Sequence, residues 1–255
     1  MSTHRTKSPT VSIIIPAYNE AERITPTLRA LHAFLAPSGL AWDLLVVDDG
    51  SRDATVQVVE ALALEIPGLA VLRQPRNMGK GAAVRAGMLA ARGKVRVMCD
   101  ADGSMPASEL PKLLAPLLAG EVDVAIGSRY VAGARSDKKQ PRYRVLWSRL
   151  CNRVIQAALV PGVRDTQCGF KAFSARAAED LFGRATVNGW AFDLEILALA
   201  RRLGYAIDEV GVSWTDDARS KVNPVRDAFK VIGEALTIRR NLRRKAYGEL
   251  VRVPA

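Results

Sequence analysis

At 255 residues, with 49% hydrophobic and 25% charged side chains, the chain has the composition of a soluble globular protein with ample material for a core. Three cysteines (Cys99, Cys151, Cys168), widely spaced and odd in number, argue against a disulfide scaffold or a structural zinc site and for a reducing, cytosolic surrounding. The net charge of +11 is concentrated: residues 129–153 and 219–245 carry +7 each, which leaves the rest at −3 and points to a localised anionic partner, whether nucleic acid, anionic lipid or phosphorylated substrate.

No stretch approaches the roughly 18 apolar residues of a membrane span. Residues 1–10 read as a disordered tail, polar and basic over Met1 to Pro9, without the apolar core of a signal peptide. Val11 to Pro16 is β-branched and apolar, as a buried parallel strand requires. A helix with Ile24, Leu28, Leu31 and Leu35 on one face follows, then a strand over 44–47 that ends in Asp48-Asp49-Gly50-Ser51. Residues 53–64 read as helix and 70–72 as a short strand. Asn77-Met78-Gly79-Lys80-Gly81 then opens a helix reaching Ala91. The next strand, Val95 to Cys99, ends in Asp100-Ala101-Asp102-Gly103. Residues i and i+2 of an extended segment project to the same side, so the two carboxylates can converge beyond the strand end. Such a pair repels itself unless a cation lies between, which suggests a divalent metal; a helix cap and a turn residue would explain it equally.

A helix over 109–118 and a strand over 122–126 complete five strand–helix alternations, the rhythm of a parallel α/β sheet. The glycine fingerprint for dinucleotides is missing after the first strand, and Gly79-Lys80-Gly81 lacks the Ser or Thr of a phosphate-binding P-loop. Acidic residues instead recur at strand ends: Glu20, Asp48 with Asp49, and Asp100 with Asp102. They suggest a shared rim for a base, a ribose and a metal diphosphate, and would repel a nucleic acid. Beyond residue 127 come a basic loop over 135–142, an amphipathic helix over 143–160 flanked by Arg142, Arg149 and Arg153, and a polar, glycine-bearing stretch from Val163 to Lys171. A helix over 191–203 holds Asp193 and Glu195, read as ion-pair formers. A strand over 207–214 and a helix over 224–245 follow, with Phe229 and Ile232 as core candidates. Neither His4 nor His32 is placed for catalysis, so chemistry falls to carboxylates, basic groups and metal.

Ile14 to Glu20, Val47 to Ser51 and Asp100 to Gly103 resemble the motifs of glycosyltransferase family 2, with its GT-A fold. Within it, Asn77 to Arg85, Arg164 to Lys171, Trp190 to Asp193 and Ser220-Lys221 are similar to the dolichyl-phosphate β-glucosyltransferase branch. The resemblance implies a single domain over 11–240: a nucleotide-sugar half (11–127), an acceptor half (128–240), then a basic tail over 241–255. It implies that Pro16, Ala17, Tyr18 and Glu20 hold uracil and ribose and that Asp48 reads the base. Lys80, Asp100, Ala101 and Asp102 would then lie at the sugar diphosphate, with Asp102, and Asp100 beside it, on Mg²⁺ or Mn²⁺. Asp165 would sit at the catalytic centre; an acceptor phosphate needs cations beside it, and Arg129 and Arg135, whose guanidinium forks match phosphate oxygens, are the candidates, with Ser136 and the loop residue Lys221 beside them. The implied activity is inverting transfer of a hexose, glucose from UDP-glucose, to a polyprenyl phosphate. It would take place on the inner face of the cell membrane, with the basic helices on anionic lipid. Mannose from a guanosine donor, or a non-lipid acceptor, is the alternative. A phosphate monoester, with a second pKa near ~6, attacks as a dianion without a base.

Overall fold

The computed structural model describes residues 9–136, 159–215, 224–244 and 246–248. The tail before residue 9, the helix expected over 143–160 with Arg142, Arg149 and Arg153, and Lys221 with its loop lie largely or wholly outside them.

One seven-stranded sheet organises the chain, in the order β3-β2-β1-β4-β7-β5-β8. Its first four strands are β1 (Val11–Ala17), β2 (Trp42–Asp48), β3 (Leu69–Arg73) and β4 (Val95–Met98), all parallel. The helices between them are α1 (Ile24–Leu35), α2 (Thr55–Ala63) and α3 (Lys80–Ala90). α4 (Leu110–Leu118) leads into β5 (Val124–Ser128). β1, β4 and β5 are buried on both faces, which is why they read as apolar runs without alternation. Ile14, Val47 and Met98 point to one side, against Ala83, Val84 and Met88 of α3. Ile13, Ile15, Leu44, Val46 and Val97 point to the other, against Ile24, Leu28, Leu31 and Leu35 of α1 and Leu110, Leu113 and Leu117 of α4. Burying each such side chain contributes about 1.5–3 kcal/mol.

The second half departs from the expected rhythm. β7 (Lys171–Ser174) enters antiparallel between β4 and β5, pairing Met98 with Lys171 and Ile126 with Lys171. Four residues beginning with a lysine give no period to read, so the polar stretch before it looked like loop throughout. Ser174 caps α5 (Ala175–Arg184) by accepting from the Ala177 N–H. α6 (Phe192–Leu203) and β8 (Ile207–Gly211) complete the sheet. The single strand expected over 207–214 is divided at buried Val212. Beyond it β9 (Ser213–Trp214) pairs with β6 (Arg135–Ser136) in a separate two-stranded sheet.

α7 (Pro224–Arg243) packs Val231, Ala235 and Ile238 inward. Ile232 and Leu236 are exposed, so Ile232 does not serve the core as its spacing suggested; the packed stripe lies one position earlier.

Candidate active site

The strand order reverses direction at β1, whose neighbours are β2 on one side and β4 on the other. A crevice opens there beyond the carboxyl ends of the parallel strands, the usual place for a ligand in such a sheet. Because β7 runs the other way, its entry loop, residues 165–170, reaches the same edge.

A cavity of about 430 Å³ fills the crevice. Pro16, Ala17, Tyr18, Glu20, Lys80, Asp100, Ala101, Asp102 and Arg129 line it, together with Asp49, Gln167, Trp190, Asp193 and Trp214. A second cavity of about 510 Å³ adjoins it through Tyr18 and Asn77; Asp48, Gln74 and Arg76 lie on its wall. Asp48 Oδ2 accepts from the Ser51 N–H at 3.1 Å, while Oδ1, buried, has no partner among the described residues. The β1–α1 loop is tied to the β2–α2 loop by Asn19 N–H to Ser51 Oγ (2.9 Å) and Glu20 N–H to Thr55 Oγ1 (2.8 Å). Glu20 itself is paired with Arg23 at 2.7 Å.

Lys80 begins α3, and Asp49 sets its place by accepting from the Met78 and Gly79 N–H groups at 2.7 and 3.0 Å. Its ammonium lies 2.6 Å from Asp100 Oδ1 and 5.3 Å from the centre of the Trp190 ring. Burial pushes its pKa down, but Asp100, Asp193 and Asp102 together outweigh that and hold it above the ordinary lysine value. Asp102 Oδ1 accepts from the Ser104 N–H (3.0 Å) and hydroxyl (2.6 Å), which fixes the rotamer of its carboxylate. Asp100 is held from behind by backbone: a Cβ on Gly169 would stand 1.8 Å from Asp100 Oδ2. Only glycine lets the 165–170 loop approach so closely.

Arg129 and Asp165 form a fork. Nε and Nη2 donate to the two carboxylate oxygens at 2.8 and 2.9 Å, and the Arg129 N–H adds a third bond at 3.0 Å. Asp165 is fully buried behind Arg129 and off the cavity wall, its own N–H given to Glu209 at 2.7 Å. The guanidinium carbon lies 5.1 Å from the Trp214 ring centre and 5.7 Å from that of Tyr130. Arg135 and Ser136 run beside this wall, paired in register with Ser213 and Trp214.

Asp193 does form an ion pair, 2.7 Å from Lys171, yet it also lies in the cavity, close enough to Lys80 to couple with it. Burial pushes its pKa up, against the pull of Lys171 and Lys80. The hint lay in Trp190 to Asp193 as a block, since Trp190 enters the cavity three residues before it. Glu195 serves structure: it accepts from the Thr186 and Val187 N–H groups and the Tyr247 hydroxyl.

Two carboxylates on one rim, with no third acidic, cysteine or histidine ligand among the described residues, suit a hard cation that keeps waters and substrate oxygens as its other ligands. They do not suit zinc.

Residues 12–182 match the family model for glycosyl transferase family 2. The chain belongs to that family. It is 37% identical over 221 residues to the dolichyl-phosphate beta-glucosyltransferase ALG5C of Trichomonas vaginalis, covering 83% of this chain and 65% of that protein. To the dolichyl-phosphate beta-glucosyltransferase of Saccharomyces cerevisiae it is 33% identical over 246 residues, covering 90% and 74%. The chain thus spans about two thirds to three quarters of the length of these relatives. Glucosyl-3-phosphoglycerate synthase of Mycobacterium tuberculosis, solved with Mn²⁺, UDP-glucose and phosphoglyceric acid, superposes with a TM-score of 0.71 at 23% identity, over 91% of this chain and 80% of that one. The shared architecture is the GT-A fold, and as a family member the chain is a glycosyltransferase.

Proposed function

We propose that the protein transfers glucose from UDP-glucose to a polyprenyl phosphate with inversion, as the names of its dolichyl-phosphate glucosyltransferase relatives suggest. The observation that carries this reading is the convergence on one cavity of an acidic pair, a paired lysine and a forked arginine, beside a second cavity with a buried acceptor.

In this reading the base lies in the second cavity, where Asp48 Oδ1 accepts an imide N–H. Tyr18, shared by both cavities, covers the nucleoside between them. Asp102, held by Ser104, and Asp100 beside it suit Mg²⁺ or Mn²⁺, which when bound would neutralise the diphosphate as it leaves. Lys80 exchanges part of its contact with Asp100 for the diphosphate, adding positive charge where negative charge develops. Trp190 walls the sugar, and Asp193 accepts from its hydroxyls at the cavity floor.

Arg129 receives the acceptor phosphate, with Arg135, Ser136 and Lys221 assigned to the same anion. Asp165 spends both oxygens on Arg129, so its role is to aim the guanidinium and not to take a proton. The reaction does not need a base, because the attacking phosphate oxygen is already charged.

No helix among the described residues is long and apolar enough to cross a membrane. The exposed face of α7 carries Ile232 and Leu236, then Arg239, Arg240 and Arg243, the pattern of a helix lying on anionic lipid. Peripheral attachment to the cytoplasmic face would bring the site to a lipid-borne phosphate, in a compartment that keeps Cys99 and Cys168 as thiols.

The test is transfer of radiolabelled sugar from a panel of nucleotide sugars to short-chain polyprenyl phosphate, with and without Mn²⁺. Metal-dependent transfer from UDP-glucose is expected. Preference for GDP-mannose would overturn the donor, and transfer only to water-soluble phosphates would overturn the lipid acceptor.

A further inference from the structure

Two buried oxygens without a hydrogen-bond partner among the described residues belong to the wall of the second cavity: Asp48 Oδ1 and Gln74 Oε1. Buried polar atoms are rarely left unpaired, and an orphan costs about 1–3 kcal/mol. The two residues are locked side by side, because the Gln74 N–H donates to the Asp48 carbonyl at 2.8 Å where β3 leaves the sheet. Asp48 is 3% exposed. The uridine reading uses Asp48 alone and leaves Gln74 unexplained.

We propose that Gln74 is a specificity-determining residue, which together with Asp48 reads the N3–H and an adjacent carbonyl of the uracil ring and so rejects cytosine. This rests on the uridine-diphosphate reading of the cavity. A carboxylate can only accept, so beside Asp48 Oδ1 the ring must present a donor. Uracil has one at N3, whereas neutral cytosine has a lone pair there. A carboxamide can do either: turned over about its last bond, Gln74 presents Nε2 where Oε1 stands. Nε2 then donates to the carbonyl next to N3. Acceptor and donor side by side match the donor and acceptor edge of uracil, and leave neither Asp48 nor Gln74 unpaired.

The pair can be tested by swapping its polarity. Binding of UDP, CDP and GDP to the full chain is measured by calorimetry at fixed Mn²⁺. The unaltered protein is expected to bind UDP at least tenfold more tightly than CDP. Q74L, which keeps the volume and removes the donor, is expected to weaken UDP about tenfold, from the cost of one lost hydrogen bond with an unpaired partner. Q74E, which sets a carboxylate against the ring carbonyl, is expected to weaken it further. D48N supplies an amide donor to cytosine N3, while Gln74 Oε1 accepts from its amino group. That variant is expected to lose UDP affinity and gain CDP affinity, and D48N/Q74L is expected to lose the gain.

An ordered water bridging the two oxygens would also satisfy them. In that case Q74L leaves the UDP constant within twofold, and the assignment of Gln74 is overturned while the uridine reading stands. Tighter binding of GDP than of UDP by the unaltered protein would overturn the uridine reading itself. Thermal unfolding of each variant guards the comparison, and Gln74, at the end of a strand and partly exposed, is expected to leave it unchanged.

Discussion

Two acid–base pairs meet at the cavity and are built in opposite ways. Lys80 and Asp100 share one contact of 2.6 Å, with both side chains 20% exposed. Arg129 and Asp165 share a two-pronged contact reinforced by a backbone bond, and the Asp165 side chain is 1% exposed. A single bond at a cavity wall is easily exchanged for other partners that enter the cavity. A desolvated fork is not, because separating it would strand a buried charge. The first pair is therefore suited to ligand exchange, and the second is architecture that aims one guanidinium at the cavity.

Mutating the two acids differently should separate these roles, and Asp102→Ala sets the scale. It removes a carboxylate that, among the described residues, is held by Ser104 at the rim, so little of the fold depends on it. Turnover is expected to fall about 10³-fold, as for loss of a principal charge stabiliser at the leaving group. Urea unfolding should barely change. Full activity of the variant, or metal-independent turnover by the unaltered protein, would remove the cation from that rim.

Asp165→Asn should behave the other way. It leaves the Arg129 guanidinium without its counter-charge, and removing one partner of a buried pair costs about 3–5 kcal/mol. Arg129 keeps 28% exposure, so a loss near the lower end, about 3 kcal/mol, is expected in urea unfolding. Unchanged urea unfolding of this variant would show that the fork does not hold the loop of Asp165 in place.

The same contrast explains what could be read from the sequence. The first half was legible because parallel strands buried on both faces leave apolar runs, and each run stops where a loop reaches a cavity wall: Asp48 after β2, Asp100 and Asp102 after β4. The other half was less so. β7 is four residues long and opens with Lys171, which is buried only because Asp193 and the Cys168 carbonyl meet its ammonium. That compensation is tertiary and has no local signature. Asp193 reads in the sequence as an ion-pair former, which it is; its second surface, toward the cavity, has no local signature either. Gln74 gave no signal at all, since a single glutamine after a strand is ordinary loop.

Gly169→Ala sharpens the contrast at its narrowest point, because Gly169 belongs to the loop of the fixed pair and touches the exchangeable one. A methyl group there would stand 1.8 Å from Asp100 Oδ2 and 2.5 Å from its carboxyl carbon, so one of them must move. The loop cannot easily yield: Asp165 anchors it through Arg129 and Glu209, and Cys168 and Phe170 are buried on either side. Asp100 stands on a partly exposed carboxylate with one lysine contact, and is the group that gives way. Displacing it by about an ångström should lower turnover roughly tenfold to a hundredfold, the cost of a small misplacement at a reacting centre. Mn²⁺-dependent binding of UDP should weaken in parallel, and urea unfolding should change by less than in Asp165→Asn. If the loop moved in place of Asp100, stability would fall while UDP and Mn²⁺ binding held, and the order of rigidity between the two pairs would be reversed.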